Sequence, residues 1–306
     1  MQIFTIEQKE KRKVYRLFGR TIFRSGEKRR GLYDMKRILE KYTGVKTKVK
    51  RYEIQHGWTP LDGAMPNDLT RDIDLMLCWN KRFKDDWDKK SQVQCEIITA
   101  PFVIYRKENK IEQSKNARGT LAYPSHSTDK SKAEYNIDEY CELLRSLPDE
   151  FQPVTISLHH SDIDNYNMDK EYEKRGFKTV CASYGQGNKQ FYEAFYDILK
   201  NYKYTTSNEP GSYTFYSVEM GIPFFILGTP SITDNSEGLD NNIEAKKQIS
   251  ILDYKYGKIT YDLFSNKPFG EITQEQKDFV ESELGIKDGL SKDELKEVLK
   301  KVKKWI

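Results

Sequence analysis

From Gly119 onward, short apolar runs alternate with amphipathic stretches, and the alternation predicts strands at 120–124, 153–158, 177–182, 203–206 and 224–227. Between them the pattern predicts four helices. The first is capped by Asn136 with Glu139 in capping-box position and runs to Leu147. The second stops at Gly176, the third spans 189–202, and the fourth lies between Gly211 and Gly221. Five strands alternating with four helices predict a parallel, doubly wound α/β sheet, whose ligands lie beyond the carboxyl ends of its strands.

Before Gly119 the pattern is less regular. Residues 8–31 are strongly basic, and a helix is expected at 32–42, closed by Gly44. Strands are expected at 49–55, 73–78 and 94–99, with a helix from about Asp85 and a stop at Ala100-Pro101. Residues 107–118 are polar and read as a linker. The expected division is therefore a reduced α/β domain at 1–110, a second α/β domain at 117–268 and a helical segment at 270–306. In that last segment, helices are expected at 272–284, capped by Thr273 with Gln276, and at 291–306, capped by Ser291 with Glu294. The final helix carries an apolar stripe of Leu295, Val298, Leu299, Val302, Trp305 and Ile306 among lysines. Such a stripe either packs back onto the protein or rests on an anionic bilayer.

The stretch from Tyr204 to Gly228 reads as strand, polar turn, helix, glycine stop and buried strand. Ser207, Asn208, Gly211 and Ser212 fall where the chain turns into the helix, so N–H groups, hydroxyls and the positive helix end converge as they would on a phosphate. A well-capped crossover without a ligand has the same pattern. The four histidines, His56, His126, His159 and His160, all lie just after expected strands. Imidazole serves as a base near neutral pH or, when charged, as a donor to phosphate. Ser127 accompanies His126, and Tyr184 with Gly185 forms a further glycine-containing loop at the same edge.

Composition narrows the class. The 306 residues are 37% hydrophobic, enough for buried cores, and 51 Lys+Arg against 47 Asp+Glu leave a net charge of +4 with the signs interspersed. That balance does not suggest nucleic-acid binding. No apolar leader or membrane-length apolar stretch is present, so a cytoplasmic protein is expected. The four cysteines are widely spaced, which suits reduced thiols and argues against zinc.

Two α/β units, His56-Gly57-Trp58 after a strand of the first, and Ser207-Asn208-Glu209-Pro210-Gly211-Ser212 leading to a helix, a G-x-P and an apolar strand in the second resemble GT-B glycosyltransferases. The likeness is to bacterial enzymes of surface-polysaccharide assembly, including CDP-glycerol glycerophosphotransferase-like and sialyltransferase-like groups, and extends over roughly residues 45–265. It implies two Rossmann-like domains, the first facing a glycan or lipid-linked acceptor and the second holding a nucleotide-sugar or CDP-polyol donor. It also implies His56 as base, with Ser207, Asn208, Gly211 and Ser212 at the donor phosphates and His126, Ser127, His159, His160, Tyr184 and Gly185 near them.

Sialyltransferase-like members carry an acidic-acidic-Gly motif and a His-Pro pair. Here the corresponding residues are Leu61-Asp62-Gly63 and either Pro124-Ser125-His126-Ser127 or His159-His160, which makes Asp62 a rival base. The expected activity is metal-independent, inverting transfer of a sugar or polyol phosphate to a capsule or lipopolysaccharide-type glycan, at the inner face of the membrane if the last helix rests there. One competitor is a metal-dependent GT-A enzyme, since Asp72-Ile73-Asp74 and Asp162-Ile163-Asp164 match D-x-D. Another is a non-catalytic nucleotide- or sugar-binding component of an assembly complex.

Overall fold

A computed structural model describes residues 34–46, 52–127, 131–182, 190–234, 248–265 and 269–303, together with the backbone of three strands nearer the N-terminus. Those strands, β1 (Phe4–Lys9), β2 (Arg12–Leu17) and β3 (Arg20–Ser25), form an antiparallel meander inside the basic opening, where no strand was expected. Helix α1 (Met35–Thr43) follows and ends as expected at Gly44, which takes the left-handed conformation at φ 73°.

A three-stranded parallel sheet comes next: β4 (Tyr52–Ile54), then α2 (Pro66–Leu69), β5 (Leu75–Cys78), α3 (Lys81–Lys90) and β6 (Gln94–Ile97), in the order β4-β5-β6. Helix α3 begins four residues before the expected position because the Asn80 side chain accepts the Phe83 N–H and caps it there. Strand β6 ends before Ala100-Pro101 as expected, but the chain does not become a loop there. Pro101 instead opens α4 (Pro101–Glu108), since proline tolerates the first helical turn, where its missing N–H has no partner in any case.

The second sheet is built from β7 (Thr120–Ala122), β9 (Val154–Ser157), β10 (Lys178–Val180), β11 (Tyr204–Ser207) and β12 (Phe224–Ile226), all parallel, in spatial order β10-β9-β7-β11-β12. Its helices are α5 (Ile137–Arg145), α6 (His160–Tyr166), α7 (Met168–Lys174), α8 (Phe191–Leu199) and α9 (Ser212–Glu219). The two-turn helix expected before Gly176 is α7; α6, which was not expected, precedes it and is parted from it at Asn167, whose φ of 51° breaks the helical run.

The strands are short and buried on both faces, as a parallel sheet between helices requires. Leu121, Tyr123, Phe224 and Ile226 join one hydrophobic cluster with α8 and α9. The alternating Ala122 and Phe225 join another with Tyr140, Leu144 and Tyr172. The expected mixed α/β class with a doubly wound parallel sheet is therefore what the chain forms, consistent with a GT-B-like arrangement.

A small antiparallel sheet of β8 (Ala133–Glu134), β13 (Ile232–Asp234) and β14 (Gln248–Ser250) was not anticipated. Three helices close the chain: α10 (Lys255–Ser265), α11 (Gln274–Glu283) and α12 (Lys292–Lys303). Thr273 and Gln276 make the expected reciprocal cap of α11. In α12, Leu295, Leu299 and Val302 are buried in the cluster that also holds Ile38 and Leu39 of α1. That part of the stripe is core, and the bilayer reading loses its apolar face; Trp305 and Ile306 lie outside the described residues. No described helix is long and apolar enough to cross a membrane.

Candidate functional site

Strand order places the crevice. From β7 the chain runs outward through β9 and β10, then returns to the other side of β7 for β11 and β12. The connections after β7 and β11 therefore part in opposite directions, and an open parallel sheet offers its ligand crevice at such a reversal. Residues 123–127 follow β7 there, and residues 208–211 follow β11. Asn208 ties the two together: its Oδ1 accepts the Ser125 N–H at 2.8 Å, while its Nδ2 donates to the Thr229 carbonyl at 3.1 Å.

The first sheet adds its own carboxyl end. Gln55, buried after β4, donates from Nε2 to the Gly57 carbonyl at 2.9 Å and accepts the Trp79 N–H through Oε1 at 2.9 Å. This clamp fixes the His56-Gly57-Trp58 turn. The Trp58 N–H then donates to Ser212 Oγ at 3.0 Å, and the Trp58 ring packs on Phe215 with centroids 5.0 Å apart. Gly57 comes so near α9 that an added Cβ would stand 2.9 Å from Ser212 Oγ. The two most specific motifs of the sequence thus meet directly.

All four histidines converge on this crevice. His126 and His159 stack with ring centroids 4.7 Å apart, and His159 and His160 lie 4.1 Å apart. His56 exposes part of its ring, yet protein closes around it. That crowding, with the charges of His126 and Arg71 behind it, lowers its pKa from 6.5 to about 4. An accessible imidazole held neutral is suited to accepting a proton. His126 Nδ1 lies 3.2 Å from the Ser127 carbonyl, and if that nitrogen carries the hydrogen, Nε2 is left for a ligand. The Nδ1 atom of His160 is buried without a hydrogen-bond partner.

Two acids interact electrostatically with His126. Asp162 accepts the Ser127 N–H at 2.8 Å, and Glu209 accepts the N–H and hydroxyl of Ser231 at 3.2 and 2.9 Å. Burial raises both carboxyl pKa values, while those hydrogen bonds and the charge of His126 work against the rise. Asp162 stood out in the sequence only as part of a D-x-D match, and Glu209 and Gln55 were not singled out as site residues; for those two the available signal was position, each adjoining a residue that was.

The polar turn is more occupied than its sequence suggests. Ser207 Oγ pairs with Tyr213 OH at 3.0 Å and accepts the Glu209 N–H at 3.1 Å, and Gly211 N–H donates to Thr214 Oγ1 at 3.1 Å. At Gly211 a Cβ would fall 2.7 Å from the Tyr213 ring, so the glycine makes room for that tyrosine. Ser127 Oγ accepts the Ala133 N–H at 3.1 Å. Ser207, Asn208, Gly211, Ser212 and Ser127 therefore brace the crevice with groups already engaged inside the protein.

Asp62 lies in a different cleft, whose lining includes no histidine, with its carboxylate 3.6 Å from Lys255 Nζ. Tyr184 and Gly185 fall outside the described residues. Of the D-x-D matches, Asp162 is buried and turned to Ser127. Among the described residues no group of three or more His, Cys, Asp or Glu side chains is arranged to hold a metal ion.

No protein-family model matches this chain, and no curated protein does. Solved structures similar to it include the wall teichoic acid polymerase TagF, at TM-score 0.42 and 12% identity over 82% of this chain and 67% of that one. A histidine-to-asparagine variant of TagF matches at TM-score 0.40 and 11% identity over 77% of this chain and 60% of the other. That variant soaked with CDPG matches at TM-score 0.33 and 13% identity over 77% and 53%. This chain spans about two thirds or less of the length of those chains, and at such scores nothing about its chemistry follows from the likeness.

Proposed function

We propose that this chain is a transferase of GT-B type that moves a sugar or polyol phosphate from a nucleotide-activated donor to a glycan hydroxyl. The convergence of His56, His126, His159 and His160 on the reversal point of the second sheet carries this reading. The donor nucleotide lies along the carboxyl ends of β7 and β11, and the acceptor approaches from the side of β4.

His56, neutral above about pH 4, takes the proton of the acceptor hydroxyl as its oxygen attacks the donor carbon or phosphorus. The bond to the leaving phosphate breaks in the same displacement. His126, beside Asp162 and Glu209, is placed to donate a hydrogen bond to that phosphate as negative charge develops on it. That donor takes the part a divalent cation plays in metal-dependent transferases, so the reading calls for no metal. Asn208, Ser207 and Ser212 act by holding the loops in register rather than by donating to phosphate themselves.

Thermal unfolding with CMP, CDP, UDP and GDP tests this, because a ligand bound only by the folded state raises its stability by mass action. At least one nucleotide should raise the melting temperature. The rise should disappear in His126→Ala and persist in His56→Ala, and a chain that responds to none of the four does not have this function.

A further inference from the structure

We propose that the cleft formed by residues 61–64, α3 and residues 253–256 is a separate subsite for a neutral, hydroxyl-rich chain, an oligosaccharide or polyol, and holds the acceptor away from its reacting end. The acceptor role rests on the transferase reading; the ligand class rests on the cleft alone.

The cleft encloses about 550 Å³, the size of a small-molecule site. Four aspartates and four basic side chains line it, so the charges cancel and no net field draws a polyanion. A hydroxyl both donates and accepts and can pair with either kind of group, whereas a phosphate would meet the aspartates as like charges. Tyr254 and Tyr256, half-buried in the wall, supply the apolar faces against which sugar C–H groups pack.

The wall is fixed in advance. Arg82 donates to the Thr59 carbonyl at 2.7 Å and to that of Leu61, and is itself held by buried Glu283 at 2.7 Å. The Tyr256 ring covers its guanidinium at 4.3 Å. Asp86 accepts the Ala64 N–H at 3.0 Å, and Gly63 sits so close that a Cβ would fall 2.2 Å from the Asp86 carboxylate. A loop pinned at Thr59, Leu61 and Ala64 loses little entropy when a ligand settles on it. Asp62, six residues beyond His56, lies at most about 20 Å from the proposed base along an extended chain, within the span of a short oligosaccharide.

Saturation-transfer NMR on the full chain with cellobiose, N,N′-diacetylchitobiose and ribitol, and with sucrose octasulfate as the anionic competitor, decides the matter. At least one neutral probe should receive saturation, and its signal should fall at least fivefold in Asp62→Trp, which fills the cleft from a side chain that is 63% exposed and outside the core. Tyr256→Ala should weaken it as well. Silence from all three neutral probes, signals unchanged in both variants, or displacement by sucrose octasulfate would overturn the proposal. Nucleotide melting shifts on the same samples separate the two readings: their absence removes the transferase, while saccharide binding lost in Asp62→Trp would still establish the cleft.

Discussion

At the residue scale the proposed chemistry is tested most directly at His56 and its neighbour Gly57. If His56 is the base, His56→Ala should lower turnover by about 10²–10⁴-fold with nucleotide affinity nearly unchanged, since general-base catalysis typically contributes that much. Near-normal turnover removes the assignment, and Asp62→Asn measured in parallel tests the rival. Its depressed pKa also sets a pH signature. The acid limb of kcat/KM should fall near pH 4 rather than 6.5. Because the folded pKa lies below the unfolded one, the folded state resists protonation, so His56 lowers stability as pH falls from about 6.5 to about 4. Urea unfolding of His56→Gln should show a flatter pH dependence across that window. Gly57→Ala puts a Cβ 2.9 Å from Ser212 Oγ and should impair turnover, while the double variant Gly57→Ala with Ser212→Gly opens the space again. A coupling energy below about 0.5 kcal/mol in that cycle would show that the turn does not bear on α9.

At the scale of elements, caps and stops were the legible features, and contacts between elements were not. The Thr273–Gln276 box and the glycine stops of α1 and α9 formed where local rules put them, because each depends on residues within one turn of the helix. Helix α12 is different. Its stripe suited either a core or a bilayer, and only the position of α1 assigned it to the core. Leu299→Ala should accordingly cost about 2–5 kcal/mol in urea unfolding, the usual loss for a fully buried leucine. An unchanged midpoint would return the stripe to the surface.

At the scale of the molecule, the two parallel sheets share one core. Phe102 of α4 stacks on Tyr216 of α9 with centroids 5.1 Å apart, and Trp79 packs on the same tyrosine at 6.3 Å. Two enclosed ion pairs tie the surrounding helices: Arg82 of α3 to Glu283 of α11 at 2.7 Å and Arg106 of α4 to Glu219 of α9 at 2.6 Å. Removing one partner leaves a buried charge, so Glu283→Ala should cost about 3–5 kcal/mol and release the 59–64 wall as well. Continuity of the core predicts that tryptophan fluorescence, dominated by buried Trp58, Trp79 and Trp87, and far-UV circular dichroism report one coincident transition. Two separated transitions would mean that the sheets unfold independently.

The sequence by itself determined the parallel class of the second sheet, its strand positions and the loop edge on which the histidines fall, because short apolar runs alternating with amphipathic stretches and a residue's place after a strand are local properties. It also marked His56-Gly57-Trp58 and the Ser207–Ser212 turn. The tertiary structure alone decided that these two motifs touch, that the surroundings of His56 lower its pKa, and that the side chains of Asn208 and Ser207 bond within the protein. Each of those outcomes depends on pairs far apart in the chain, such as Trp58 with Ser212 and Ser125 with Asn208. Hydrogen-bond capacity is visible in a residue's name, but what occupies that capacity is fixed only when strand order brings distant loops to the same crevice.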